Sequence, residues 1–341
     1  MFDVRQRRGS LRRRRGPRFL TFLAALVLVG TVGAVGVVTA ANRTVAGVAR
    51  VPEVSPALSQ TAANIENYLL VGSDSRADAD PNSPDAGGIG TSADVTGSRS
   101  DTIMVLRLDK SNGTASLLSI PRDLWIAADT ARINAAFNGG AAELVRTITT
   151  AKELTIPIQH YVEIDFSGFK GLVDALGGVE VCFEFATRDT NTGLNITEPG
   201  CPTLTGVEAL AYARSRHYQQ FKDGDWQEDG TSDLGRSTRQ RDFVNRAIQA
   251  ALTKIKADPF ASGRLISAIS SSLHVDAKLD PLAAVDKLRS AVDGGLQTYS
   301  LPVVGKTIKG NAVLVLGEGA QAVLDYFRGV TDTPPGTPPP G

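Results

Sequence analysis

Short apolar runs of strand length follow one another through the chain: Tyr68–Val71, Thr102–Leu108, Ala115–Ile120, Val162–Ile164 and Val179–Phe183. Turn residues bound them, which is the pattern of strands. Between and after them the apolar spacing is helical. One such stretch covers Ala135–Glu153; another, on Phe166, Phe169, Leu172, Val173 and Leu176, stops at Gly177-Gly178 as helix C-caps do. Gly206–Arg216 and Arg236–Ala257 predict two more helices, the second preceded by a Gly-rich acidic loop. Leu282–Val292 predicts a further helix, Val313–Leu316 a strand and Ala320–Phe327 a closing helix. Strands alternating with helices predict an α/β sandwich with a mixed central sheet. No period of 20–50 residues repeats.

The two ends read differently. Residues 19–41 form an uncharged run of 23 residues, ~35 Å as a helix and long enough to cross a hydrocarbon core. Arginines flank only its start, so the expectation is a single-pass cell-membrane protein with residues 1–18 cytoplasmic and the remainder extracytoplasmic. A cleaved signal peptide is the competing reading, since Val38-Thr39-Ala40 resembles a cleavage site, but 23 apolar residues are long for one. Residues 42–64, without sustained periodicity and with Pro52 and Pro56, read as a tether. Residues 331–341, rich in Pro and Gly, read as a flexible tail. One large domain, 65–330, lies between.

Charge and cysteines sharpen this picture. The 341 residues carry 36 basic and 36 acidic side chains, yet residues 1–18 hold eight arginines and one acid, leaving the rest at about −7. Beside a membrane span such a cluster reads as a topology signal in contact with membrane lipids, not as a nucleic-acid site. No nucleic-acid partner is expected, because neither a helix-turn-helix pattern nor aromatic-basic interleaving appears. In an exported, oxidising setting the only cysteines, Cys182 and Cys201, are expected to form a structural disulfide in preference to two buried thiols.

Polar residues gather at the predicted strand ends, where α/β sheets bind ligands. Gly72-Ser73-Asp74-Ser75-Arg76 follows one strand, Arg99-Ser100-Asp101-Thr102 precedes the next, and Pro121-Arg122-Asp123 follows a third. Carboxylates and hydroxyls without histidine suit Mg²⁺ or Mn²⁺, hard cations that also draw on substrate phosphate. Arg214 and Arg216 lie near Asp233–Gln240, where Arg236, Arg239 and Gln240 share one helical face. Guanidinium forks hold phosphate oxygens bidentately. With Arg122 they would make a ring of guanidiniums facing Asp74 and Asp101, suited to a diphosphate bridged by a cation. A surface salt-bridge network is the bland alternative.

Seven segments in one order carry a family resemblance: Tyr68–Arg76, Ser100–Leu108, Leu118–Leu124, Arg132–Phe137, Asp165–Gly178, Leu210–His217 and Asp233–Gln240. Together they resemble the LytR–CpsA–Psr family of bacterial envelope proteins. The resemblance implies an α/β/α fold with a long apolar cavity for a polyprenyl chain. It implies a ligase that moves a glycopolymer from its polyprenyl-diphosphate carrier onto peptidoglycan through a phosphodiester. Asp74 and Asp101 match the family's Mg²⁺-associated acids, and Arg122, Arg214, Arg216, Arg236 and Gln240 its diphosphate-binding residues. Arg132, which stands where many members have lysine, and Arg239 are expected to join the diphosphate-binding set. The composition suits an actinobacterium, which would make arabinogalactan the leading polymer.

For such a transfer, Asp101 or Asp123 is the candidate base for the acceptor hydroxyl, with Arg122 beside them. Phe166, Phe169, Leu172 and Leu176 would line a lipid cavity or pack in the core. Two other functions compete: a polyprenyl-diphosphate binder or pyrophosphatase, and a membrane-anchored regulator without transferase activity.

Overall fold

The computed structural model describes residues 47–60, 64–74, 100–230, 232–258, 260–291 and 295–336, with backbone alone for Asp101 and residues 232–234. The basic tail 1–18, the expected span 19–41 and most of the loop between Asp74 and Asp101 lie outside them. Among the described residues no helix is long and apolar enough to cross a membrane.

A seven-stranded sheet forms the centre. Its strands are β1 (Ala49–Val51), β2 (Ile65–Ser73), β3 (Ser100–Asp109), β4 (Thr114–Ser119), β5 (His160–Ile164), β6 (Leu273–Asp276) and β7 (Leu296–Ser300). They lie in the order β1-β6-β5-β2-β3-β4-β7. Pairs β1–β6, β5–β2 and β4–β7 are parallel, while β6–β5, β2–β3 and β3–β4 are antiparallel. The sheet is therefore mixed, as the alternating pattern predicts.

Alternate residues of the central strands feed opposite faces. Leu69, Val71, Ile103 and Val105 enter one core with helices α1 (Ile133–Asn138), α2 (Ala141–Thr150) and α8 (Ala320–Arg328). Tyr68, Met104, Leu106 and Leu108 enter the other. There they meet α3 (Phe166–Leu176), α5 (Ser232–Ala257), α6 (Ala261–Ile269) and α7 (Pro281–Ala291). Helices cover both faces, so the central strands read as continuous apolar runs instead of alternating ones. A further cluster joins α3, α5 and α4 (Gly206–Arg214) to short strands between Val179 and Leu204 through Phe183, Tyr212, Tyr218 and Phe243. The arrangement is an α/β/α sandwich with a mixed sheet.

Several boundaries differ from expectation. The tether does not extend to residue 64: Ala49–Val51 pairs with β6, and the 3-10 helix Pro52–Ala57 buries Val54 completely. Its two prolines suit a short 3-10 turn and mask the edge strand before it. The expected helix 135–153 is two helices, because Gly139-Gly140 interrupts it and Gly140 has φ +96°, a conformation open chiefly to glycine. Helix α3, by contrast, ends at Gly177 in the left-handed region as predicted. The expected strand Val179–Phe183 is regular only over Val179–Glu180, and its end is held by an antiparallel bridge between Phe183 and Gly200. The acidic loop before α5 contains an antiparallel hairpin, Gln219–Lys222 with Asp225–Glu228. The start of the Pro-rich tail is fastened down: Val330 and Thr331 donate to the Asp325 carbonyl, and Asp332 lies 3.6 Å from buried Arg107.

Cys182 and Cys201 form the disulfide. It closes the loop that carries the strands Thr187–Asp189 and Leu194–Ile196.

Candidate active site

One rim of the sheet collects the predicted motifs, and strand register is the reason. Gly72 pairs with Thr102 on one side and Ile164 on the other, and Ser73 pairs with Ser100 across a bulge. Asp74 therefore leaves β2 where the backbone of Asp101 enters β3. Ser119 pairs with Met104, and Ile120 donates to the Ile103 carbonyl at 2.9 Å. Arg122 and Asp123 thus emerge at the same rim one strand further on. On the other flank β5 ends at Ile164, Asp165 caps α3 by accepting from Gly168 N–H at 2.8 Å, and Phe166 opens the helix. At about 4.8 Å per strand, the rim from β5 to β4 spans roughly 14 Å.

The arginines reach it from two elements. Helix α4 brings Arg214 over the Phe166 ring, 5.0 Å from its centroid. Helix α5 packs Phe243 on Phe169, with centroids 5.3 Å apart, and its Lys254 bonds the last carbonyls of α3. The two helices therefore run the same way. Arg236 sits seven residues before Phe243, on the same face and about 10 Å nearer the N-terminus, which carries it past the start of α3 to the rim. Its side chain is 1% exposed.

Arg239 and Gln240, expected beside Arg236 as phosphate ligands, are engaged with the chain. The Arg239 guanidinium donates to Asp229 at 2.8 Å and to the Ser215 carbonyl at 2.6 Å, and lies over the Tyr218 ring at 4.4 Å. Gln240 donates to the Ala213 carbonyl at 3.1 Å. Both hold the segment that carries Arg214 and Arg216.

The third support of that segment is Asp189, which sequence reading overlooked. Its buried carboxylate accepts from the Ser215 hydroxyl at 2.6 Å and from Arg216 and His217 N–H at 3.1 and 3.0 Å. Its second oxygen accepts from Asn191 N–H at 2.9 Å. Burial alone would raise the Asp189 carboxyl, but the hydroxyl and these N–H groups outweigh it and hold it below the usual carboxylate range. In sequence, Asp189 looks like an ordinary turn residue ahead of Gly193.

On the opposite flank Asp123 lies between two guanidiniums, Arg132 Nε at 3.5 Å and Arg122 Nε at 4.0 Å. Arg132 also donates to the Ala312 carbonyl at 2.8 Å, and Leu314 N–H donates to the Asp123 carbonyl. The hairpin Val303–Ile308 with Asn311–Leu316 is thereby tied to this flank. Phe169 and Leu176 pack on the cluster around Phe243, Leu172 packs on the central core, and Phe166 lies under Arg214.

Among the described side chains no group of three or more His, Cys, Asp or Glu forms a cation site. The rim does bring Asp74 and the Asp101 backbone to one place, and carboxylates there would suit a hard divalent cation sharing substrate phosphate.

Acids and arginines thus meet at one rim of a mixed α/β/α sheet. The LytR_cpsA_psr family model matches residues 35–325, and the chain belongs to that family. A probable cell wall biosynthesis protein, LcpB, of Corynebacterium glutamicum is 33% identical over 268 residues, 77% of this chain and 61% of its own length. The protein named polyisoprenyl-teichoic acid–peptidoglycan teichoic acid transferase TagU of Halalkalibacterium halodurans is 36% identical over 211 residues, 59% of this chain and 62% of its own. The chain thus spans about three fifths of the length of these curated relatives. A solved LytR-Csp2A-Psr enzyme from Actinomyces oris shares the fold, with TM-score 0.62 at 23% identity over 82% of this chain and 95% of that one.

Proposed function

We propose that this chain is a membrane-anchored transferase that moves a glycopolymer from a polyprenyl-diphosphate carrier to peptidoglycan through a phosphodiester. The observation that supports it best is the register that gathers Asp74, Asp101 and Arg122 at one rim, flanked by Arg214 and Arg236. A transferase named for teichoic acid and peptidoglycan among its relatives supports the same substrate classes. An arabinogalactan-type polymer is our choice, supported by the likeness to a Corynebacterium glutamicum protein.

In this reading Arg122, Arg214, Arg216 and Arg236 bind the diphosphate oxygens and stabilise the charge that develops on them. Mg²⁺ or Mn²⁺ held by Asp74 and Asp101 would add charge neutralisation on the same diphosphate. The acceptor hydroxyl oxygen bonds to the glycan-bearing phosphorus while the bond to polyprenyl phosphate breaks. The acceptor's proton passes to a rim carboxylate, Asp101 or the Asp123 that lies 3.5 Å from Arg132 and 4.0 Å from Arg122. Arg132, Arg239 and Gln240 act by holding the binding residues in place.

A membrane assay with labelled lipid-linked polymer and nascent peptidoglycan tests this. Label appearing in peptidoglycan is expected. Release of water-soluble phosphorylated polymer alone would favour a pyrophosphatase, and binding without turnover a regulator.

A further inference from the structure

The sheet that anchors Asp189 has a second face. Four short strands, Leu194–Ile196, Thr187–Asp189, Gln219–Lys222 and Asp225–Glu228, lie side by side and antiparallel. Alternation is sharp in the first two. Thr187, Asp189, Leu194 and Ile196 point inward and are buried. Register places Asn195, Arg188, Gln219 and Glu228 opposite one another on the outer face, with Phe221 paired to Trp226 one step along.

This outer face is unusual for a solvated surface. Phe221 is 43% exposed, and its ring lies 5.4 Å from that of partly exposed Trp226. Arg188 is spread over Trp226 at 4.1 Å and donates to Gln219 at 2.8 Å. Glu228 meets His217 at 3.0 Å. The exposed Phe221 ring beside a Trp226 edge, with a guanidinium, an amide and a carboxylate around them, matches the chemistry of a sugar: apolar C–H surface on the ring, hydroxyls on the polar groups. The face is also continuous with the arginine turn. Gln219 follows Arg216 by three residues, about 10 Å of chain at most, and Asp189 on the inner face holds the Arg216 N–H.

We infer that this face is a saccharide subsite that binds the first sugars of the diphosphate-linked donor. The inference rests on reading the rim as the diphosphate site. Sugars bonded to a diphosphate held by Arg214 and Arg216 would lie beside the turn at which this aromatic face begins. The other flank, with Asp123, Arg132 and the Val303–Leu316 hairpin, is left for the acceptor.

The test uses the full chain in detergent and two probes, a short polyprenyl diphosphate and the same lipid bearing a disaccharide. Calorimetry should show the wild type binding the sugar-bearing lipid about tenfold more tightly. Trp226→Ala and Phe221→Ala should each bring that ratio below about twofold, with affinity for the bare lipid diphosphate and melting temperature unchanged. Trp226→Phe, which keeps a ring, should retain most of the ratio and covers the case in which Trp226→Ala does not fold. A sugar increment insensitive to these substitutions overturns the inference alone. Loss of a soluble peptidoglycan fragment's binding in Trp226→Ala, with the donor increment intact, assigns the face to the acceptor and also overturns it. Failure of the wild type to bind the bare lipid diphosphate overturns the reading of the rim, and this inference with it.

Discussion

The Asp189 carboxylate lies beneath the turn that presents Arg216, accepting the arginine's own backbone N–H at 3.1 Å and the preceding Ser215 hydroxyl at 2.6 Å. A buried acid thus fixes the backbone turn that carries Arg216 and His217. Pre-set geometry of this kind contributes through the rate, because misplaced phosphate ligands lose transition-state contacts.

Replacing Asp189 with Asn should therefore slow transfer by about 10- to 100-fold and lower stability by roughly 1–3 kcal/mol, the cost of leaving a buried N–H unmatched. Transfer rate and thermal unfolding measured on one preparation check this. Loss of stability with full transfer would leave Asp189 a purely structural residue.

Arg214 and Arg236 should differ. Both are expected to lose about 10- to 150-fold in transfer on change to Ala, from ~1.5–3 kcal/mol of charge-assisted hydrogen bonding. Arg214 is partly exposed and stacks on one ring, so its loss should leave the melting temperature nearly unchanged. Arg236 is buried and should lower it as well. Arg236→Lys keeps the charge without the fork and should remain defective.

Transfer should need a divalent cation, stop in excess chelator and return with Mg²⁺ or Mn²⁺. Asp74→Asn should mimic the chelated state. Full turnover in chelator would remove the cation from the reaction.

Acid sensitivity should come in part from Glu66 on β2. Burial raises this carboxyl, but hydrogen bonds from Lys110, Lys287 and Tyr68 outweigh it and bring it to about 2 from an ordinary 4.5. A depressed carboxylate stabilises the fold above its unfolded value, so this contribution is complete above about pH 4.5 and fades towards pH 2. Glu66→Gln should flatten the stability profile in that window, measured by denaturant unfolding across pH.

Reducing the Cys182–Cys201 bond should cost about 3 kcal/mol by the chain-entropy estimate for a loop of this length, lowering the melting temperature without changing transfer at low temperature. Thermal unfolding with and without reductant, alongside a Cys182→Ser, Cys201→Ser variant, measures it.

Much of the framework was legible locally. The apolar runs at Tyr68–Val71 and Thr102–Leu108 became β2 and β3 because strands covered on both faces need apolar residues throughout. Gly177 ended α3 because a left-handed cap favours glycine. Less visible were β6 and β7, whose Leu273–Asp276 and Leu296–Ser300 mix polar with apolar residues and gain their strand character from their neighbours. The hairpin at Gln219–Glu228, nearly all polar, was hidden for the same reason.

By itself the sequence determined which residue types were available to the site, its arginines and acids at strand ends and helix starts, since these choices are written in local pattern. Only the tertiary structure decided how they divide the work. Arg236 and Arg239 lie three residues apart on one helical face, yet Arg236 is carried to the rim while Arg239 is spent on Asp229, Ser215 and Tyr218. Asp189 is separated from Arg216 by 27 residues and meets it because a short sheet folds back under the turn. Local spacing fixes the face of a helix on which a side chain stands, whereas the partner it finds there depends on which distant segment the core brings against that face.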